Sequence, residues 1–386
     1  MTPLDIQTNQ ELRLSQFPVS RTKTFLAHAG VCPLPEPVAR AIREYAQEAS
    51  RGDQEKFVFP EILENGRATV ARFLGCDSRE IAFVGPTSLG LSFVASGLKL
   101  KRGDNILIYL DDYPSNVYPW MALAKQGVDV RFLPSPGPGE LGRIRPADIL
   151  SRVDENTRLV ALASCHFISG YRIDVSAIGS QLRQRNILFC LDAIQTLGAF
   201  PVELEHVDMM AADAHKWMLG PCGAGILYVR GEVQDRINPP IYGWHNVRSP
   251  DFIAQEQMVL RTDARKYEAG THNLLGIVGL LAALEMIEQI GVETISRDLL
   301  QKRNLLISSL QAKGWSVLHA DAPPGNSSGI VSFYRPGQDP KPLHDKLSAA
   351  NIITSLRTDR KRQNYIRLSP HFYNTDEELN RALELM

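Results

Sequence analysis

"AADAHKWMLGPCGAGILYVR", residues 211–230, sets one lysine, Lys216, between His215 and Trp217. An apolar run of strand character, "VDMMAA" (207–212), leads into it. A Gly/Pro-rich turn, "GPCGAG", then sends the chain back into a second apolar run, "ILYV". An amine held where two buried strands meet a tight turn is desolvated, which lowers its pKa and lets it condense with an aldehyde. The plainer reading is a lysine that snorkels to the surface.

Working outward, short β-rich runs alternate with helical segments: "EIAFV", "NILIYL", "VDVRFL", "TRLVALA", "NILFCL", "VDMMAA" and "AGILYV". Continuous apolar strands separated by helices predict a mostly parallel sheet covered on both faces, an α/β doubly wound domain. Helical periodicity marks 38–50 and 60–75, and "LPSPGPGELGRIRP" (133–146) reads as a turn-rich surface loop. From about Gln255 the pattern changes to a long helical region reaching about Lys313. Strand candidates "SGIVSFY" and "YIRLSP" then flank the helix "PLHDKLSAAN", the pattern of a smaller α+β C-terminal domain. The expected organisation is an N-terminal arm over 1–20, a large domain over 21–255 and a small domain over 256–386.

At 386 residues the chain has room for about two domains. It is 44% hydrophobic and 22% charged with a net charge of -1, so nothing favours nucleic acid or an anionic membrane as partner. The polar start lacks a signal-peptide core, and "LLGIVGLLAALEMI" (274–287) is too short to span a bilayer. The five cysteines, Cys32, Cys76, Cys165, Cys190 and Cys222, are scattered without metal-ligand or disulfide spacing. A reducing cytoplasm and no metal are the expectations.

In doubly wound sheets, ligands sit at the carboxyl ends of strands. In "EIAFVGPTSLGLSFVASGL" a strand runs into a helix start at Thr87 and Ser88, either an anion site suited to phosphate or a plain N-cap. In "NILFCLDAIQTLG" a strand ends in Asp192, with Gln195 three residues on. That carboxylate could cap the junction, or it could hold a pyridinium nitrogen protonated as an electron sink while Gln195 reaches a ring hydroxyl. In "NYIRLSPHFYNTDEEL", Arg367 lies within an apolar strand, either as a structural ion pair or as the fork that grips a substrate α-carboxylate. Phosphate loop, carboxylate, lysine and arginine follow one another in the order a pyridoxal-phosphate enzyme on such a sheet requires.

The stretches "LDAIQTLGAFPVEL", "VDMMAADAHKWMLGPCGAGILYVR", "ARKYEAGTHN" and "IRLSPHFYNT" resemble the class V aminotransferase family of fold type I pyridoxal-phosphate enzymes, which includes cysteine desulfurases, selenocysteine lyases and isopenicillin N epimerases. The likeness runs from "FLAHAGVCPLP" to "YNTDEEL". It implies a seven-stranded sheet and pyridoxal 5'-phosphate held by Lys216 as an internal aldimine, with Lys216 later moving the Cα proton. It further implies that Asp192 pairs with the pyridine nitrogen and that Gln195 bonds the ring hydroxyl. Thr87, Ser88 and His215 would surround the phosphate, and Thr271 would reach the phosphate of a neighbouring subunit in a homodimer. Tyr113 stands where relatives stack a histidine on the ring, and His166 where relatives carry an amide near the ring hydroxyl.

Three positions depart from the pattern. Asp213 replaces a phosphate-binding serine at a cofactor-binding position; an ionised carboxylate cannot donate to phosphate and is expected to turn toward His215 or Lys216. His272 replaces a proline. The loop "SLRTDRKRQNYIR" lacks the cysteine that accepts sulfur in desulfurases, and Cys32 is a poor substitute. The same loop is basic, either a solvated turn or, through Arg357, a second contact for an anionic substrate. The resemblance therefore implies an enzyme acting on an amino acid through an external aldimine and Cα deprotonation. A desulfurase-like lyase without persulfide cysteine leads, and an aminotransferase or epimerase is the alternative.

Overall fold

The computed structural model of the chain describes residues 2–52, 54, 61–134, 137, 139–248 and 253–386. The first strand, β1 (Thr24–Phe25), stands apart from the apolar runs, which become β2 (Ile81–Val84), β3 (Asn105–Tyr109), β4 (Asp129–Leu133), β5 (Thr157–Ala163), β6 (Leu188–Asp192), β7 (Met209–Asp213) and β8 (Gly225–Val229). These seven form one sheet in the order β2-β8-β7-β6-β5-β3-β4. Neighbours from β7 to β4 are parallel, whereas β8 is antiparallel to both β7 and β2. Every residue of β3, β6, β7 and β8 is buried, as expected of strands covered on both faces.

The alternation of side chains sorts this burial into two cores. Phe189, Leu191, Met210, Ala212, Ile226 and Tyr228 face one cluster, which also takes Leu63 and Val70 of helix Glu61–Leu74 and Leu280 and Leu284 of helix Leu274–Ile290. Leu188, Cys190, Met209, Ala211, Leu227 and Val229 face the other, with Leu91 and Val94 of helix Thr87–Gly97. The expected fold type I architecture, a large mostly parallel seven-stranded sheet between helical layers, is therefore present.

The C-terminal part adds β9 (Ser316–Val317), β10 (Val331–Tyr334), β11 (Ile352–Ile353), β12 (Ser355–Thr358) and β13 (Asn364–Leu368). Four of them form an antiparallel sheet in the order β12-β13-β10-β9. Its core gathers Leu306, Trp315, Phe333, Leu347, Ile366 and Leu379. The chain's beginning is built into this part: β1 pairs with β11, and Ala27 bridges Ser369.

The long helical region expected from Gln255 is shorter than its composition suggests. Described residues 253–273 hold only a short helical turn, Ala264–Tyr267. The helix starts at Leu274, where the Asn273 side chain accepts the Gly276 N–H at 3.1 Å. At Gly291, whose φ is +88°, the axis bends by 78° into helix Val292–Ala312. No single helix among the described residues is long and apolar enough to cross a membrane. Pro60 of the second expected helical segment, and Ser135, Pro136 and Pro138 of the turn-rich loop, lie outside the described residues.

The opening stretch is a strand–loop–strand unit, with β7 and β8 antiparallel and Asp213 opposite Gly225. A Cβ at Gly225 would stand 2.1 Å from the Gly85 carbonyl oxygen, so only glycine lets β8 lie against the turn that opens helix Thr87–Gly97. Gly225→Ala is therefore expected to destabilise the fold by about 1–3 kcal/mol, the usual cost of overpacking. Thermal denaturation reads this as a lowered Tm, and an unchanged Tm contradicts it.

Candidate active site

Strands β6 and β7 are parallel neighbours, so their last residues, Asp192 and Asp213, arrive at the same edge of the sheet. Lys216 comes three residues later on the loop between β7 and β8. Gly198, at φ +91°, lets the turn after Asp192 lie against the segment after Lys216: a Cβ there would meet Trp217 O at 2.7 Å and Met218 N at 2.9 Å. Trp217 Nε1 then donates to Gln195 Oε1 at 2.8 Å, and Gln195 Nε2 donates to Ala29 O at 3.1 Å. One hydrogen of the Gln195 amide nitrogen is left for a further acceptor.

These elements enclose a cleft of about 860 Å³, part of it open to solvent. Lys216 and Asp192 line it together with Gln195, His215, Thr87, Ser88, Tyr113, Arg357 and Arg367. Nine of the twelve site residues expected from the sequence thus meet at one place. Burial lowers the Lys216 amine to about 8; Asp192 and Asp213 oppose this, while Arg367 and Arg357 reinforce it. Burial raises the Asp192 carboxyl to about 6, held back by the Ile194 N–H bond (3.0 Å) and by Lys216. The Tyr113 ring centroid lies 5.3 Å from Lys216 Nζ, within cation–π reach.

Helix Thr87–Gly97 opens after Pro86 without a side-chain cap, so its first N–H groups face the cleft wall formed by Pro86, Thr87 and Ser88. The Thr87 hydroxyl accepts the Asp213 N–H at 2.9 Å, which leaves its own proton to donate. Arg367 is 1% exposed; Nη1 donates to Phe167 O at 2.5 Å and Nη2 to Ser355 Oγ at 3.4 Å. Its Nε is buried without a partner among the described residues. Burial, then Arg357, pushes the Arg367 guanidinium down to about 9.

Three expected residues stand elsewhere. Asp213 is buried behind the wall and satisfied by four donors: Ala214 N–H (2.8 Å) and Ala224 N–H (3.0 Å) on one oxygen, Gly223 N–H (3.0 Å) and His215 Nδ1 (2.8 Å) on the other. It turns to His215, one of the two expected partners, and fixes that ring at the cleft. His166 is not in the wall. Its Nε2 meets Asp111 O at 2.9 Å, its Nδ1 accepts Ser169 N–H at 3.1 Å, and burial pushes it down to about 4, so the ring is neutral and already satisfied. Thr271 is exposed and lines a different cavity, beside Gly270 and Asn273. His272 next to it approaches the buried Glu268 at 2.9 Å, and Glu268 also pairs with Arg67.

Some contributors escaped the sequence reading. Asp112 accepts from Tyr113 N–H (2.9 Å), Asn116 Nδ2 (3.0 Å) and Ala163 N–H (2.9 Å) and so anchors Tyr113. Burial and the Asp192 charge raise its carboxyl to about 7. The doubled aspartate in "DDYPSN" was its only signal. Phe167 contributes a backbone carbonyl, which leaves none.

No cysteine lines the cleft among the described residues. Cys32 is buried, its thiol points to Gly220 O at 3.8 Å, and burial pushes it up to about 12. The basic loop is a closed hairpin between β12 and β13. Asp359 accepts Gln363 N–H and Tyr365 Oη, each at 2.9 Å, and Arg360 pairs with Asp111 at 2.5 Å.

Among the described residues, a buried amine without a hydrogen bond, a buried carboxyl with a single N–H partner and an uncapped helix start fit pyridoxal phosphate. Fold and site define a pyridoxal-phosphate-dependent enzyme of fold type I. The chain belongs to the class V aminotransferase family, whose profile matches residues 24–382. A probable cysteine desulfurase of Methanothermobacter thermautotrophicus is 30% identical, with 94% of each chain covered. The apo cysteine desulfurase of Thermococcus onnurineus superposes with a TM-score of 0.89 at 26% identity, covering 100% of this chain and 97% of that one. The cystine C–S lyase C-DES, solved with its product cysteine persulfide, gives 0.86 at 25% identity over 96% and 98%. A C-DES mutant has also been solved with glycine covalently linked to the cofactor. The chain is accordingly a lyase or aminotransferase acting on an amino acid.

In the cofactor-free protein, labelling of Lys216 is expected to titrate near pH 8, the neutral amine reacting above it. The Asp192 charge holds the proton on, so Asp192→Asn moves the midpoint lower; Arg367 repels it, so Arg367→Gln moves the midpoint higher. A wild-type midpoint at the ordinary lysine value of 10.5 overturns the assignment.

Proposed function

We propose that this enzyme is a carbon–sulfur lyase that eliminates the β-substituent of a sulfur-bearing amino acid without passing the sulfur to a protein thiol. The carrying observation is the cleft wall: an amine, a carboxyl and two guanidiniums, with no cysteine among the described residues. Cys32, weighed above as a substitute for the missing thiol, is buried, bonded and protonated at neutral pH. The hairpin that replaces the cysteine-bearing loop is closed by Asp359. C-DES, a cystine C–S lyase bound to cysteine persulfide, is a neighbour whose sulfur ends on a small product.

In this reading Lys216 would bear the cofactor, Asp192 would hold its ring nitrogen, and Gln195 would offer its spare amide hydrogen to the ring hydroxyl. Tyr113 covers the ring, while Thr87, Ser88 and His215 hold the phosphate. Asp213 positions His215, and His166 is structural. Pyridoxal phosphate supplies the electron sink for negative charge at Cα. Arg367 grips the substrate carboxylate and sets which Cα bond faces the ring. Lys216, freed as an amine with a pKa near 8, takes the Cα proton at a pH where an ordinary lysine is charged. The Cα–H pair becomes the Cα–Cβ double bond as the Cβ–S bond breaks, and the sulfur leaves as a thiolate. Water then releases pyruvate and ammonia.

The position of Thr271, exposed and away from its own cleft, supports a homodimer in which each copy completes the other's phosphate site. Five free cysteines support a reducing cytoplasm as its compartment.

Borohydride is expected to fix the cofactor to wild-type protein and leave Lys216→Ala unlabelled. With cysteine-type substrates, pyruvate and ammonia should appear in equal amounts with no 2-oxo acid added. Amino transfer that requires a 2-oxo acid would instead identify an aminotransferase. Arg367→Ala should raise KM about 10–100-fold, the loss of a charged hydrogen bond, with cofactor content unchanged. Loss of cofactor in that variant contradicts the role given to Arg367.

A further inference from the structure

Two guanidiniums reach the cleft, whereas the backbone of an amino acid brings one carboxylate. Arg367 on β13 lies opposite Ser355 on β12, and Arg357 is two residues beyond Ser355. Side chains repeat every second residue, so the two arginines are diagonal neighbours on one face of the sheet. A Cβ built on Gly30 would stand 3.8 Å from Nη2 of Arg357 and 3.8 Å from Nη2 of Arg367. The two nitrogens are thus no further apart than twice that distance, and both face the Gly30 wall.

Neither arginine is paired with a carboxylate among the described residues. Arg367 uses its donors on Phe167 O and Ser355 Oγ, and Arg357 donates to the adjoining Leu356 O at 2.9 Å. Arg360, three residues on, shows the contrast: it pairs with Asp111 and is spent. Asp192, the carboxyl of the wall, is committed to the cofactor ring in the proposed mechanism. One bound α-carboxylate would leave one of two guanidiniums uncompensated in a partly dry cleft, which is costly. The hairpin closed by Asp359 and the pairing of β12 with β13 fix the backbone that carries Arg357, so binding has only its side chain left to order.

We propose that Arg357 is a specificity residue for a second anionic group: Arg367 takes the α-carboxylate, and Arg357 takes a carboxylate at the far end of the side chain. This rests on the roles proposed for Lys216 and Arg367. It narrows the substrate to doubly anionic amino acids, such as a cysteine whose sulfur substituent ends in a carboxylate.

The test titrates holoenzyme with unreactive acids, succinate, glutarate and adipate against butyrate, following the absorbance of the bound cofactor. Wild type is expected to bind at least one dicarboxylate tenfold or more tighter than butyrate. Arg357→Gln brings that dicarboxylate down to the affinity of butyrate, Arg357→Lys keeps part of the preference, and Arg367→Gln weakens both kinds of acid. Equal affinity of wild type for butyrate and every dicarboxylate overturns the proposal, whether or not the variants fold. So does an equal loss for both kinds of acid in Arg357→Gln and Arg367→Gln, which would mean that the two guanidiniums share one carboxylate. Wild-type protein that refuses the cofactor, or that borohydride fails to label at Lys216, sinks the lyase reading and this proposal with it.

Discussion

Lys216 and Asp192 are a buried cation and a buried anion whose environments drive both toward neutrality while their mutual attraction holds both toward charge. The balance leaves an amine near 8 and a carboxyl near 6, two groups that titrate close to neutrality because neither is solvated or fully paired. Acid–base groups are effective when their pKa values lie near the working pH. The sheet brings these two side chains, both buried, to the wall of one cleft.

That placement is over-determined by ordinary structural parts. Parallel pairing of β6 with β7 brings the strand ends together. Gly198 permits contact between the turn after one strand and the loop after the other, and the Trp217–Gln195 bond fastens it. Asp213 gathers the N–H groups of Ala214, Gly223 and Ala224 and orients His215. Four donors on one carboxylate bind together the loop that carries the lysine.

The architecture was legible because buried parallel strands announce themselves as continuous apolar runs, and seven such runs became the seven strands of the sheet. The cleft was legible where chemistry and local context coincide, as at Asp192, Lys216 and Arg367. It was not legible where the partner is backbone. His166 looks like a ligand in the sequence, yet Asp111 O and Ser169 N–H satisfy it, and only the folded chain brings those groups to it. Phe167 works through a carbonyl, which every residue has. The helix expected across 255–273 failed because Gly270 and the capping Asn273 set its start at Leu274, whatever the helical character of the residues beyond.

The first strand of the chain pairs with β11, and the residues after it are tied to Ser369, where Ala29 N–H meets the hydroxyl at 3.0 Å. Gly30, Arg357 and Arg367 are therefore held side by side, although the glycine stands near the start of the sequence and both arginines near its end. Asp192 and Lys216 are carried by the large sheet, to which Gln195 Nε2 on Ala29 O, Arg367 Nη1 on Phe167 O and Cys32 N–H on His215 O fasten that wall. The distance between the two guanidiniums and the Lys216–Asp192 pair is therefore set by these cross-links, and not by how any one side chain bends.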